Sequence, residues 1–203
     1  MMENSLFSFT DDRGIIAGAD EAGRGPLAGP VTAACVVLSP DFPFEILADS
    51  KKLSEKKRIE AERIIKEKAV SWAVSSVSHR IIDEINILNA AMSAMALAFS
   101  KIKVPVDVLL VDGNKTPEVP VPCHAVVKGD SKVFEIMAAS ILAKNYRDRL
   151  MLIADRRWPQ YGYAKHKGYP TKEHIEKIRL YGPSPIQRLS FSTGLEEEEP
   201  SLF

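Results

Sequence analysis

The sequence predicts an α/β domain built on a mixed sheet, and three observations point there. Three strand-like runs lie in the first 77 residues, and nothing helical separates the first two. Beyond them strands and helices alternate, and several strands end in an acid close to a glycine. Consecutive strands suit antiparallel pairing, whereas strand–helix alternation suits parallel crossovers, so one sheet holding both is expected.

Residues 15–20 form a short apolar run that ends in Asp20, with Glu21 next and the turn Ala22-Gly23-Arg24-Gly25-Pro26 after it. Residues 31–38 (Val-Thr-Ala-Ala-Cys-Val-Val-Leu) are apolar and rich in β-branched side chains, and Pro40 and Pro43 close them. Ser54 caps a helix that runs to about Lys68, with Ile59, Ile64 and Ile65 on one face. Residues 70–77 alternate and form a third strand. A helix follows over residues 87–101, where Leu88, Met92, Met95 and Phe99 recur at the spacing of one buried stripe. Residues 106–112 are a buried strand ending in Asp112 and the turn Gly113-Asn114, and residues 124–127 are a short strand. The longest helix spans residues 131–157. It is apolar at Phe134, Met137, Ala138, Ile141 and Leu142, then basic, and Pro159 ends it. Residues 172–181 form the last helix, and the Pro- and Glu-rich remainder is expected to be mobile.

The 203 residues are 45% hydrophobic and 27% charged, an ordinary globular mixture large enough to fold without staples. No apolar run reaches the roughly 18–20 residues of a membrane span; the longest, residues 90–99, is interrupted by Ser93. Residues 1–13 carry three acids and one base and no apolar signal core. Cys35 and Cys123 lie far apart in apolar stretches, which suits buried thiols in a reducing compartment. With no CxxC and scattered histidines (79, 124, 166 and 174), a zinc site has no support. A soluble, cytoplasmic, monomeric protein with no membrane contact is expected.

The formal net charge is zero, but the charge is unevenly placed. Four consecutive acids, Glu196 to Glu199, sit near the C-terminus, and without them 27 bases face 23 acids. Residues 144–179 hold ten bases and four acids, together with Trp158, Tyr161, Tyr163 and Tyr169. Such a stretch suits either a nucleic-acid backbone or a solvated helix face beside core aromatics.

Asp20-Glu21, Asp112 and Asp130 share a setting: each ends or follows an apolar strand and lies close to a glycine (Gly23, Gly113 and Gly129). Ligands in open sheets collect at the carboxyl ends of strands. Strand alternation sends Asp20 and Glu21 to opposite faces, so their convergence requires the chain to turn directly after Asp20, which Gly23 and Gly25 permit. Clustered carboxylates stay ionised together only with cations, and an all-oxygen donor set suits Mg²⁺ or Mn²⁺. Two such ions are machinery for phosphodiester hydrolysis. The plainer alternative makes these acids turn residues and helix caps. The segment Gly23 to Ala28 also fits the loose dinucleotide-binding pattern G-x-G-x-x-A, but Pro30 and a strand follow where a helix is needed. Ser140 and Lys144 lie one helical turn apart without any other sign of an acyl-transfer site.

The block Asp20-Glu21-Ala22-Gly23-Arg24-Gly25-Pro26-Leu27-Ala28-Gly29-Pro30-Val31 resembles the signature of the ribonuclease HII family, the bacterial type 2 ribonucleases H. Asp49-Ser50-Lys51-Lys52-Leu53-Ser54, Val111-Asp112-Gly113, Lys128-Gly129-Asp130 and Ala138 to Lys144 resemble its later blocks in the same order, as does Gly162 to Thr171. The resemblance implies a ribonuclease H-like fold with a five-stranded mixed sheet flanked by helices and a C-terminal helical extension. It divides the chain into an arm (1–14), a catalytic domain (15–157), the extension (158–190) and an acidic tail (191–203). It implies an endoribonuclease that uses divalent cations, Mg²⁺ or Mn²⁺, in a two-metal mechanism. The substrates implied are RNA/DNA hybrids and single ribonucleotides embedded in duplex DNA, cut to leave a 3′-hydroxyl and a 5′-phosphate.

The family's acidic positions fall on Asp20, Glu21, Asp112 and Asp130, as catalytic residues and metal ligands. Its 2′-hydroxyl-sensing turn falls on Gly23, Arg24 and Gly25, and its junction-sensing tyrosine on Tyr169. Lys51, Lys52, Lys144, Lys165 and Lys167 are candidates for phosphate contacts. About fourteen residues precede the first strand, which disfavours the type 3 relatives with their extra N-terminal domain. Two rival readings are another nuclease of the same fold, such as a junction resolvase, and an inactive duplex-binding module. The terminal Glu199-Pro200-Ser201-Leu202-Phe203 imperfectly resembles peptides that bind the bacterial sliding clamp, Leu202 and Phe203 being its anchors.

Overall fold

A computed structural model describes residues 14–47 and 54–194. Five strands, β1 (Ile16–Ala22), β2 (Val31–Val37), β3 (Ser71–Val77), β4 (Val108–Asp112) and β5 (Cys123–Val126), form one sheet in the order β3-β2-β1-β4-β5. The β1–β2 and β2–β3 pairs are antiparallel, and β1–β4 and β4–β5 are parallel. The sheet is therefore mixed, as the element order in the sequence predicts. The helices are α1 (Glu55–Lys68), α2 (His79–Phe99), α3 (Phe134–Arg157), the single turn α4 (Tyr163–His166) and α5 (Lys172–Tyr181).

Every residue of β2 is buried, because both faces of the sheet are covered. Alternation sorts its side chains. Val31, Ala33, Cys35 and Val37 join Ala17 and Ala19 of β1 against Ala90, Ala91, Ala94 and Met95 of α2. Ala34 and Val36 face the other way, toward Ala138, Ala139 and Leu142 of α3 and Ala61 and Ile65 of α1.

Three element boundaries differ from the sequence expectation for local reasons. Helix α2 starts at His79, where the Ser78 side chain caps it by accepting from Ile81 N, and a kink at Asn86 (φ +65°) interrupts it. The Asn86 side chain then accepts from Asn89 N at 3.1 Å and restarts the helix. The expected helix from residue 87 is thus the second segment, where the buried stripe begins. Helix α3 starts at Phe134, because Lys128 is left-handed (φ +58°) and residues 129–131 form a separate 3₁₀ turn. Strand β1 runs through Ala22 instead of ending at Asp20. Pairing of Glu21 with Ala33 and Ala22 with Thr32 extends the ladder, so the turn comes at Gly23.

Helix α2 is long and apolar enough, by length and composition alone, to cross a membrane. Its buried face packs on the sheet, which makes it a core helix here. The chain after residue 181 is not loose throughout. Gly29 N donates to Ile186 O, Arg188 N donates to Leu27 O, and Phe191 packs against the core.

Helix α3 can lie this close to β1 because position 18 is glycine. A Cβ there would stand 2.4 Å from the backbone carbon of Glu135. Backbone cannot step aside as a side-chain tip can. Gly18→Ala is therefore expected to cost about 2 kcal/mol by overpacking, read as a lower urea midpoint with an unchanged slope.

Candidate active site

The parallel pairing of β1 with β4 places the first two acids. Ala19 pairs with Val111, so Asp20 and Asp112 are the next residues of adjacent strands. Strand β5 pairs Asp112 with Val126, and the chain returns through Gly129 to Asp130, whose N–H donates to Asp112 Oδ1 at 3.2 Å. Gly129 is buried here, and a Cβ on it would stand 2.6 Å from Ile136 Cδ1. Asp130 lies inside its 3₁₀ turn, and Val133 stands at the N-cap of α3, so Asp130 does not cap that helix.

Asp20 is buried, and its Oδ1 accepts from Glu21 N at 2.7 Å. Burial raises its carboxyl well above the usual range, and the charges of Glu21, Asp112 and Asp130 raise it further. Glu21 is also raised by burial, against the opposing pull of Arg24, whose Nη1 donates to Glu21 Oε1 at 3.3 Å. Asp112 thus bears on both Asp20 and Glu21, and Asp130 on Asp20. Among the described residues no group of three or more His, Cys, Asp or Glu side chains is placed to hold a metal ion. An open set of oxygen donors is what Mg²⁺ tolerates, since it keeps several waters and shares substrate phosphates.

Beside the acids lies a cleft of about 430 Å³, lined by Glu21 and Asp130, by the turn 22–25, and by Arg58, Ser140, Ile141, Lys144 and Tyr169. Gly23 makes the turn with φ +97°, and any Cβ there would collide with the side chain of Arg147, 2.0 Å from its Nε. Gly25 faces Tyr169, with Cε1 of the ring 3.7 Å from where a Cβ would be. The turn and Tyr169 therefore stand on one cleft.

The remaining candidates separate. Lys144 lines the cleft and pairs with Asp148 at 2.6 Å. Lys165 pairs with Glu173, and Lys167 donates to the Ala164 carbonyl; neither lines the cleft. Lys51 and Lys52 lie outside the described residues, as do Leu202 and Phe203. The aromatics of the basic stretch also divide. Tyr161 and Tyr163 are buried in a core cluster with Met151, whereas Tyr169 is 41% exposed. Arg58 was not anticipated, since nothing in α1 distinguishes it from neighbouring solvated bases. Ser140 and Lys144 stand out in the sequence only by their spacing of one helical turn.

The charge strain at Asp20 has a signed consequence. A carboxyl whose folded value is raised costs stability once pH exceeds its unfolded value, because the unfolded chain then gives up the proton more readily. That cost is absent below the ordinary carboxylate range and develops as pH rises toward the folded value. In chelator at neutral pH, Asp20→Asn is expected to raise the thermal midpoint by about 2–5 °C. The gain should vanish as pH falls toward about 4. A lower midpoint would mean that the acids are not in conflict.

A family model described as ribonuclease HII matches residues 17–194. Ribonuclease HII of Vibrio campbellii is 51% identical over 196 residues, covering 94% of this chain and 92% of that protein. Ribonuclease HII of Dechloromonas aromatica is 51% identical over 178 residues, covering 88% and 91%. Among solved structures, ribonuclease H2 of Pyrococcus horikoshii superposes with a TM-score of 0.73 at 25% identity, over 88% of this chain and 94% of that one. Ribonuclease HII of Archaeoglobus fulgidus, solved in complex with PCNA, gives 0.71 at 24%, over 93% and 100%. The sheet order and the family match agree: the chain belongs to the ribonuclease HII family, endonucleases of the ribonuclease H type.

Proposed function

We propose that this protein hydrolyses the phosphodiester at ribonucleotides within RNA/DNA hybrids and at single ribonucleotides embedded in duplex DNA. The observation that carries the reading is a cleft lined by Glu21 and Asp130 together with Gly23, Arg24, Gly25 and Tyr169, with Asp20 and Asp112 next to each other on the adjoining strands. The carboxylates fit divalent cations, Mg²⁺ or Mn²⁺. Their donors are all oxygen, and Asp20 is held ionised only against burial and three like charges. Such ions, when bound, activate water and stabilise the leaving oxygen of an in-line displacement.

The chain's own residues supply orientation. Asp130 N–H holds Asp112 Oδ1, and Arg24 holds Glu21, so two of the carboxylates are aimed before any ligand arrives. The backbone of Gly23 to Gly25 can approach a sugar edge closely because no side chain intervenes at either glycine. A 2′-hydroxyl both donates and accepts, and backbone groups can answer it on both counts. Tyr169 offers a half-exposed ring opposite Gly25, suited to pack on the neighbouring deoxyribose, where an added hydroxyl would crowd it. Lys144 and Arg58 carry positive charge into the cleft and suit phosphates, which set position and not sequence. A sliding-clamp contact through Leu202 and Phe203 rests on the sequence alone.

A DNA duplex with one embedded ribonucleotide, incubated with Mg²⁺ or Mn²⁺, tests the reading. Asp112→Asn is expected to lower turnover by about a thousandfold or more, while duplex affinity in chelator stays within about threefold, because the carboxylates hold ions and the bases hold phosphate. Full activity in a folded Asp112→Asn protein would remove the two-metal reading.

A further inference from the structure

Two arginines are buried without an ion pair among the described residues. Arg188 is 0% and Arg147 1% exposed, and the described ion pairs include neither. Their donors go instead to backbone carbonyls, those of Arg188 on the Gly23-Arg24 turn and on residues 29–30 behind it, those of Arg147 on residues 28, 30 and 167. Arg188 Nη2 donates to Gly23 O at 2.6 Å and to Pro30 O at 3.1 Å, Nη1 to Arg24 O at 3.0 Å, and Nε to Gly29 O at 2.9 Å. Arg147 Nε donates to Pro30 O at 3.0 Å, Nη2 to Ala28 O at 3.1 Å, and Nη1 to Lys167 O at 3.0 Å. Arg147 also fills the space a side chain at position 23 would need, and its guanidinium lies 5.9 Å from the Tyr169 ring centre.

The segment directly after the turn is tied to the one that carries Tyr169 through Leu27 N, which donates to Gly168 O at 2.8 Å. The far end of the clamp is anchored too. Asp83 of α2 accepts from Leu189 N, Ser190 N and Ser190 Oγ at 2.6–3.0 Å, directly after Arg188.

We infer that Arg188 and Arg147 are positioning residues that fix the spacing between the Gly23-Arg24-Gly25 turn and Tyr169, and thereby set how the enzyme distinguishes an isolated ribonucleotide from continuous RNA. The inference rests on the proposal that the turn and Tyr169 contact sugars. Two guanidinium groups side by side in a dry site are costly. Burial first, and then the neighbouring Arg147 charge, pull Arg188 down to about 9. An apolar side chain would fill the volume at less cost, but it could not hold several carbonyls at fixed angles. A planar, five-donor fork does so, and an ammonium does not.

The test compares kcat/KM on a duplex with one embedded ribonucleotide with kcat/KM on an RNA/DNA hybrid, both with Mg²⁺. Loss of folded protein lowers both values alike and leaves their ratio unmoved, so the ratio reports positioning. In Arg188→Lys and Arg147→Lys the ratio is expected to shift about fivefold or more against the single-ribonucleotide duplex, through kcat more than KM. Asp83→Ala, which loosens the anchor without emptying a buried site, is expected to shift it about twofold in the same direction. It decides the matter if the arginine variants yield no soluble protein. Tyr169→Ala separates the two layers of the argument. If it leaves the ratio unchanged, the sugar-contact proposal fails and this inference with it. If it shifts the ratio while Arg188→Lys, or Asp83→Ala in its place, does not, the inference alone is overturned.

Discussion

Strand β1 is hydrogen-bonded along both edges, and the placement of the site follows from that. On one edge antiparallel β2 carries the ladder to Ala22, and on the other parallel β4 sets Ala19 beside Val111. A strand held on both sides cannot slip by a residue without turning every side chain to the wrong face. Asp20 therefore falls beside Asp112 by register and not through any attraction between them. Their attraction is in fact negative. The ladder and the core beneath it hold together charges that would separate in solution, which is why burial and like charge both raise the Asp20 carboxyl.

The same strand determines what can lie over it. Gly18 lets α3 descend onto β1, and the descent carries Ser140 and Lys144 to the cleft wall and Arg147 beneath the Gly23 turn. One helix thus supplies the floor of the sheet's second core, a cationic wall for the cleft and part of the clamp on the turn. Its apolar first half and basic second half, visible in the sequence, correspond to these separate duties.

Local chemistry made the strands, the caps at Ser54 and the acidic strand ends readable. Each depends on a few consecutive residues, and acids at the ends of apolar runs beside glycines are a local pattern. What the sequence hid depends on partners far along the chain. Nothing near Asp20 says that β2 will continue the ladder past it, so local pattern places the turn two residues early. The kink at Asn86 rests on one left-handed residue whose side chain restarts the helix, which reads as an ordinary polar position until the backbone is known. Arg188 was least legible. It lies in a Pro-rich stretch that composition marks as loose, and its acceptors are carbonyls about 160 residues away, which carry no sequence signature at all.

The two sets of buried charge also explain each other's arrangement. Had Arg147 or Arg188 reached Asp20 or Asp112, each ion pair would have neutralised a carboxylate and removed a ligand from any cation. Backbone carbonyls are acceptors without net charge. They satisfy a guanidinium's geometry without drawing on Asp20 or Asp112. Arg24, which does pair with an acid, is half exposed, so solvent weakens that attachment and Glu21 stays exchangeable. Arg188 donates to the carbonyls of the turn, while Asp20 and Asp112 accept from backbone N–H groups. A site that must hold cations and also keep a fixed rim needs these roles on separate groups, and the chain assigns them to opposite sides of one turn.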